Sequence, residues 1–286
     1  MLKNLYKNHA ILFSICAFAL TIVLLVVLSH VNGMLFSEYD MFVGLAAVEF
    51  VYALVGILLC LYFGHGNLFE FRLKGFMRGL VAGMYILVTV TLAMVLMIIS
   101  GLNEGYVIFS TDHVIAFCLY MLFVGIAEET FFRGLIAERL IRHFGTTRAG
   151  IVKAAGLSGF LFGMCHMING FQTGFLAALI QSVSVIFLGM VIALCFYKGR
   201  SLLAVIFLHA YNDFAALTAQ GGIMGPADNS LSLKESMTYG PEHLIGAVPY
   251  IIVVLILLRK RNIQIIGENY AADIDGQEDS RPQPEL

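Results

Sequence analysis

Apolar runs long enough to cross a bilayer recur along this chain from residue 10 to residue 258, and that recurrence constrains the fold more than any other feature. A hydrocarbon core needs about twenty apolar residues per helix at 1.5 Å rise each. Clear runs cover 10–29, 41–63 and 79–100. The run 114–137 is apolar apart from Glu128, Glu129 and Arg133, 154–168 is short and Gly-rich, and 175–197 is long and clean. The run 202–219 carries His209 and Asp213, and 245–258 closes the set. With 59% hydrophobic and 13% charged residues, the chain is far from the usual soluble balance of about 25% charged. The expectation is an all-α polytopic membrane protein of about eight transmembrane helices.

The positive charges give an independent check on that count. Alternate loops hold Lys3 and Lys7; Arg72, Lys74 and Arg78; Arg139, Arg142, Arg148 and Lys153; Lys198 and Arg200; and Arg259, Lys260 and Arg261. The intervening loops hold Glu38, Asp40, Glu104 and Asp112, with a single Lys234 beside Asp228, Glu235 and Glu242. Eight spans with both termini in the cytoplasm place every loop lysine and arginine but one inside. One membrane-embedded helical domain is expected over 1–266. The last segment, 267–286, reads as an acidic, flexible cytoplasmic tail, since six acids and two prolines follow from Glu268 onward. The longest loop, 220–243, carries Gly221-Gly222 and Gly225-Pro226, which read as turns. Five cysteines in apolar runs, odd in number and without CxxC spacing, argue against a disulfide framework or a thiolate metal site.

Ionisable side chains inside such runs are costly, and each is a functional-site hypothesis. On a helix, residues four apart share a face. Glu129 therefore reaches Arg133, Phe162 shares a face with His166, and His209 shares one with Asp213, which could fix the imidazole's tautomer. Glu128 is rotated from Glu129 by roughly 100°, so the two carboxylates are expected to do different work. Counted inward at 1.5 Å per residue, Glu128 lies at about 14 Å, His166 at about 18 Å, His209 at about 11 Å and Asp213 at about 17 Å. Similar depth on three helices points to one shared site, on the cytoplasmic side of the midplane. Glu49 stands apart and reads as a protonated acid inside the bundle, with a supporting role at the site as the alternative.

The series Glu128-Glu129-xxx-Arg133, Phe162-xxx-His166 and His209-xxx-Asp213 resembles the three-motif signature of the CPBP family. That family groups CAAX prenyl endopeptidases with Abi-type bacteriocin-processing and immunity proteins. The resemblance covers residues 114–219. It implies a glutamate-dependent intramembrane endopeptidase, a metalloendopeptidase by the label often given to the family. Carried over by position, Glu128 is the base that activates water, assisted by His166. Burial that raises a carboxylate toward neutrality suits that task. His209 and Asp213 stabilise the oxyanion or polarise the scissile carbonyl, or Asp213 orients His209. Glu129 and Arg133 are then structural, and Phe162 packs the pocket wall. The metal stays open: Glu128, His166, His209 and Asp213 are the candidate ligands of a zinc site with a free water position, although no HExxH occurs.

The implied substrates are membrane-associated peptides or C-terminal segments of lipid-modified proteins, with membrane lipids as surroundings and no nucleic acid as partner. A bacterial cell membrane, with a role in peptide maturation or bacteriocin self-immunity, fits the short loops best. Three other readings compete. A proton-coupled transporter would use the same acids as a relay, but no repeat is visible. A family member that binds or confers immunity without cleaving is the second. The third is a serine protease built on Gly156-Leu157-Ser158-Gly159, which matches GxSG; it leaves Glu128, Glu129 and His166 without work, and small residues there suit close helix packing.

Overall fold

The computed structural model describes residues 2–227, 240 and 242–279, and nearly all of them are helical. A short helix α1 (Leu2–Asn8) leads into α2 (Ala10–Leu35) and α3 (Met41–Tyr62). Then come α4 (Leu73–Ala82), α5 (Met84–Asn103) and the long α6 (Thr111–Phe144). After α7 (Arg148–Thr173), α8 (Phe175–Gly199) and α9 (Leu202–Leu217), the described chain closes with α10 (Glu242–Leu257) and α11 (Lys260–Asp279). Seven of these helices are long and apolar enough to cross a membrane, counting α9 with the turn that extends it to Gly222. The eighth expected span corresponds to the shorter apolar stretch Leu244–Leu257 inside α10. The protein is an all-α polytopic membrane fold.

Lipid-facing positions follow from the absence of water: the outer surface carries Val23, Val88, Leu92, Leu96, Leu119 and Leu255, all exposed. Polar groups turn inward, so Glu129, Thr130, Arg133 and Ser158 have no exposed surface. Small residues let the helices close on one another. A Cβ on Gly125 of α6 would lie 2.8 Å from the Ala210 Cβ and 3.0 Å from the Ile206 carbonyl oxygen of α9. One on Gly163 of α7 would lie 2.6 Å from the Ser182 carbonyl oxygen of α8. The first contact sets the distance between two motif-bearing helices, α6 and α9, and the second seats the third, α7, against α8.

The alternate basic loops meet at one end of the bundle. Arg139 donates to the Tyr6 and Lys7 carbonyls, the latter at 2.8 Å, and Tyr6 Oη pairs with His65 at 2.8 Å. Arg78 donates to Asn269, and Asn269 donates to the Lys198 carbonyl at 2.7 Å. At the opposite end His113 bonds Asp40 at 2.6 Å and the Gly221 carbonyl at 2.9 Å. There Val107–Ile108 pairs antiparallel with Met224–Gly225. Gly221 takes φ +99°, the turn expected at Gly221-Gly222, whereas Gly225 sits in that strand pair.

Two local expectations change. The fourth span does not stop at residue 137: α6 runs on to Phe144, because Glu138, fully buried, holds Arg142 at 2.6 Å and Arg200 at 2.5 Å. The segment expected to become a flexible tail from 267 is helical to Asp279, and Ile266 and Tyr270 are buried against the bundle. Tyr270 Oη donates to Glu138 at 3.0 Å, and the Arg142 and Arg200 guanidinium groups lie over its ring. Residues 280–286, and most of the 220–243 loop, lie outside the described residues.

Candidate active site

Helix α6 changes character where it carries the first motif. After Glu129 the hydrogen bonding widens to a π-helix over Thr130–Ala137, a distortion common at functional sites. The Thr130 carbonyl accepts from Cys60 Sγ of α3 at 3.4 Å, and the Thr130 hydroxyl donates back to the Ala127 carbonyl at 2.8 Å. Glu129 and Arg133 stay in register, with Arg133 Nη1 donating to Glu129 Oε1 at 2.8 Å and Nη2 to the Gly189 carbonyl at 3.2 Å.

His209 of α9 completes the unit. Its Nδ1 lies 2.6 Å from the same Glu129 Oε1. A carboxylate that also receives an arginine is an acceptor, so the Nδ1–H donates. This fixes Nε2 as the working nitrogen. Nε2 stands 3.3 Å from Asp213 Oδ2 and 3.6 Å from Glu128 Oε2. The tautomer, expected to be fixed by Asp213, is thus set by Glu129, a residue expected only to brace the helix. Asp213 is itself held by Asn212, whose amide donates to Oδ1 at 3.0 Å.

Phe162 lies beneath these groups rather than beside them. Its ring takes the Arg133 guanidinium at 4.3 Å and makes edge-to-face contacts with the His166 and His209 rings at 5.3 and 5.6 Å. His166 closes the regular part of α7, and its Nδ1 bonds the Phe162 carbonyl at 3.0 Å, which leaves Nε2 as an acceptor in the neutral ring.

Glu128, His166 and Asp213 line one cavity of about 530 Å³, within the range of small-ligand and peptide pockets. Glu128 Oε2 is buried and has no hydrogen-bond partner among the described residues. The cavity also takes in Glu49 and Tyr120, together with the amides of Asn169, Gln172 and Gln220. Sequence reading passed over those three amides. Asn169 and Gln172 follow His166 at steps of three, a spacing that could have revealed them, while Gln220 reaches the cavity only through the turn after α9. Ser158 is buried with no partner for its hydroxyl and does not line the cavity. Among the described residues no three histidine, cysteine or acidic side chains are arranged to hold a metal ion.

These features define a polytopic membrane protein with a carboxylate–imidazole site buried inside the bundle. Residues 110–215 match the family model of the type II CAAX prenyl endopeptidase Rce1-like proteins. The match runs from the start of α6 nearly to the end of α9 and contains all seven motif residues. It is consistent with the CPBP resemblance read from the motifs, and it supports a membrane protease. No curated protein and no solved structure matches the chain.

Proposed function

We propose that the chain is an intramembrane endopeptidase that hydrolyses a peptide bond with water activated by Glu128. The observation that carries this reading is a carboxylate whose buried Oε2 has no hydrogen-bond partner, Glu128, standing 3.6 Å from the Nε2 of an imidazole that Glu129 holds through Nδ1. Glu128 takes a proton from a water that also donates to His166 Nε2, and the hydroxide adds to the scissile carbonyl carbon. A protonated His209 donates from Nε2 to the oxyanion, with Glu129 and Asp213 balancing its charge. Collapse of the tetrahedral adduct breaks the C–N bond, and Glu128 delivers its proton to the leaving amine. Arg133 is bonded to Glu129 and to the Gly189 carbonyl, so it acts through Glu129 rather than on the substrate.

No step of this sequence is routed through zinc, since among the described residues Glu128, His166, His209 and Asp213 are not arranged as a ligand set. Glu49, Glu128, His166 and Asp213 line one cavity and His209 lies against two of them, a cluster rather than a chain across the bundle, which favours hydrolysis over a proton relay. We further propose that the basic end of the bundle faces the cytoplasm of a bacterial cell, and that the substrates are membrane-associated peptides processed during maturation or self-immunity.

Hydrolysis of an apolar peptide by the reconstituted protein in H₂¹⁸O tests the reaction. Direct attack by water labels the new C-terminus in a single turnover, and no acyl-enzyme accumulates. A covalent intermediate on the protein would overturn the reading.

A further inference from the structure

Acids dominate the charged lining of the cavity, with His166 the one basic side chain beside them among the described residues. Three carboxylates line it, from Glu49, Glu128 and Asp213, and no lysine or arginine does so among the described residues. Arg133, the nearest cation in the motifs, is spent on Glu129 and the Gly189 carbonyl and does not line the cavity. Two of the three acids already have work under the hydrolytic reading: Glu128 faces the water, and Asp213 is tied to His209 and Asn212. Glu49 is left over. It projects from α3, outside the three motifs, into the same cavity, and its Oε2 is buried without a hydrogen-bond partner.

A buried carboxylate oxygen without a hydrogen bond is costly, and a donor brought by a ligand removes that cost. A cation does so most fully, since charge-assisted bonds are the strong ones. A free C-terminal carboxylate would instead enter a space walled by acids, where like charges raise each other's cost. The remaining lining is apolar or amide, from residues such as Leu25, Val90 and Met121, which suits peptide backbone and aliphatic side chains.

We propose, resting on the hydrolytic reading above, that Glu49 is a specificity-determining residue: it holds a lysine or arginine side chain of an otherwise apolar peptide. The bond cut is then internal to a membrane-embedded segment rather than adjacent to a terminal carboxylate.

Binding tests this without requiring turnover. The probe is a short amidated apolar peptide in which a lysine is moved through every position, with a norleucine parent and a free-acid parent as references. Affinity for the full chain in lipid nanodiscs is read by fluorescence anisotropy. One lysine position binds about tenfold or more tightly than the norleucine parent. In Glu49→Gln that advantage shrinks to about twofold while the parent binds as before. The proposal is overturned if no lysine position exceeds the parent, if the advantage survives in Glu49→Gln, or if the free-acid parent binds most tightly. The comparison of lysine with norleucine on the wild-type chain stands even if the variant fails to fold. Lysine preference without cleavage of any peptide would refute the hydrolase and leave the Glu49 assignment supported.

Discussion

His209 is suspended from Glu129: the imidazole Nδ1 on α9 donates across to the carboxylate on α6 at 2.6 Å, through the same oxygen that Arg133 grips at 2.8 Å. The glutamate next to the proposed base is therefore the hinge on which the site's geometry turns. Changing Glu129 to Gln should lower kcat by about a hundredfold with KM little changed, because the protonated His209 loses the anion that orients it and balances its charge. Glu129→Ala should in addition cost about 3–5 kcal/mol of stability, because it strands the fully buried Arg133. The check is turnover and detergent melting on the same preparations. A structural brace alone would give the melting effect with an unaltered kcat in the glutamine variant.

Gly125 touches no reacting group, yet it sets how near α9 comes to α6. Gly125→Val should separate the helices and cut activity by at least about tenfold, with overpacking costing about 1–3 kcal/mol. Gly156, whose Cβ would meet nothing within 4 Å, is the control: Gly156→Ala should leave activity and melting near wild type.

Ser158 occupies the middle of a GxSG sequence, but its hydroxyl is buried and partnerless. Ser158→Ala should keep full activity and leave stability unchanged or slightly higher, by up to about 1 kcal/mol, since it deletes an unsatisfied polar atom. Loss of turnover in this variant would revive the serine mechanism.

The basic end of the bundle is pinned by Tyr270. Tyr270→Phe loses the bond to Glu138 and should cost about 1 kcal/mol. Tyr270→Ala also uncovers Arg142 and Arg200, and should cost about 3–5 kcal/mol. Ending the chain after residue 279 should leave melting unaltered, whereas ending it after 259 should lower it at least as much as Tyr270→Ala.

The sequence made some of this legible and hid the rest for physical reasons. Lipid forces long apolar runs, so the helices and their order could be read directly, and i,i+4 spacing exposed Glu129–Arg133 and His209–Asp213. The bond between Glu129 and His209 joins residues eighty positions apart, and it depends on the close approach at Gly125 and on the π-helical turn after Glu129. Neither leaves a periodic signal. Glu138 was hidden for a related reason: beside Arg139 and Arg142 it looks like a loop charge, and only partners as distant as Arg200 and Tyr270 allow it to be buried. Glu49 was visible as an oddity in an apolar run, but only the shared cavity joins it to Glu128.

Glu128 bears the whole account, and replacing its carboxylate by an isosteric amide addresses it most directly. Peptide hydrolysis is measured for wild type and Glu128→Gln in the same nanodiscs, with equal melting temperatures confirming the fold. Removing the base should lower kcat by about 10²–10⁴-fold with peptide binding preserved. Turnover by Glu128→Gln within a few fold of wild type would contradict it.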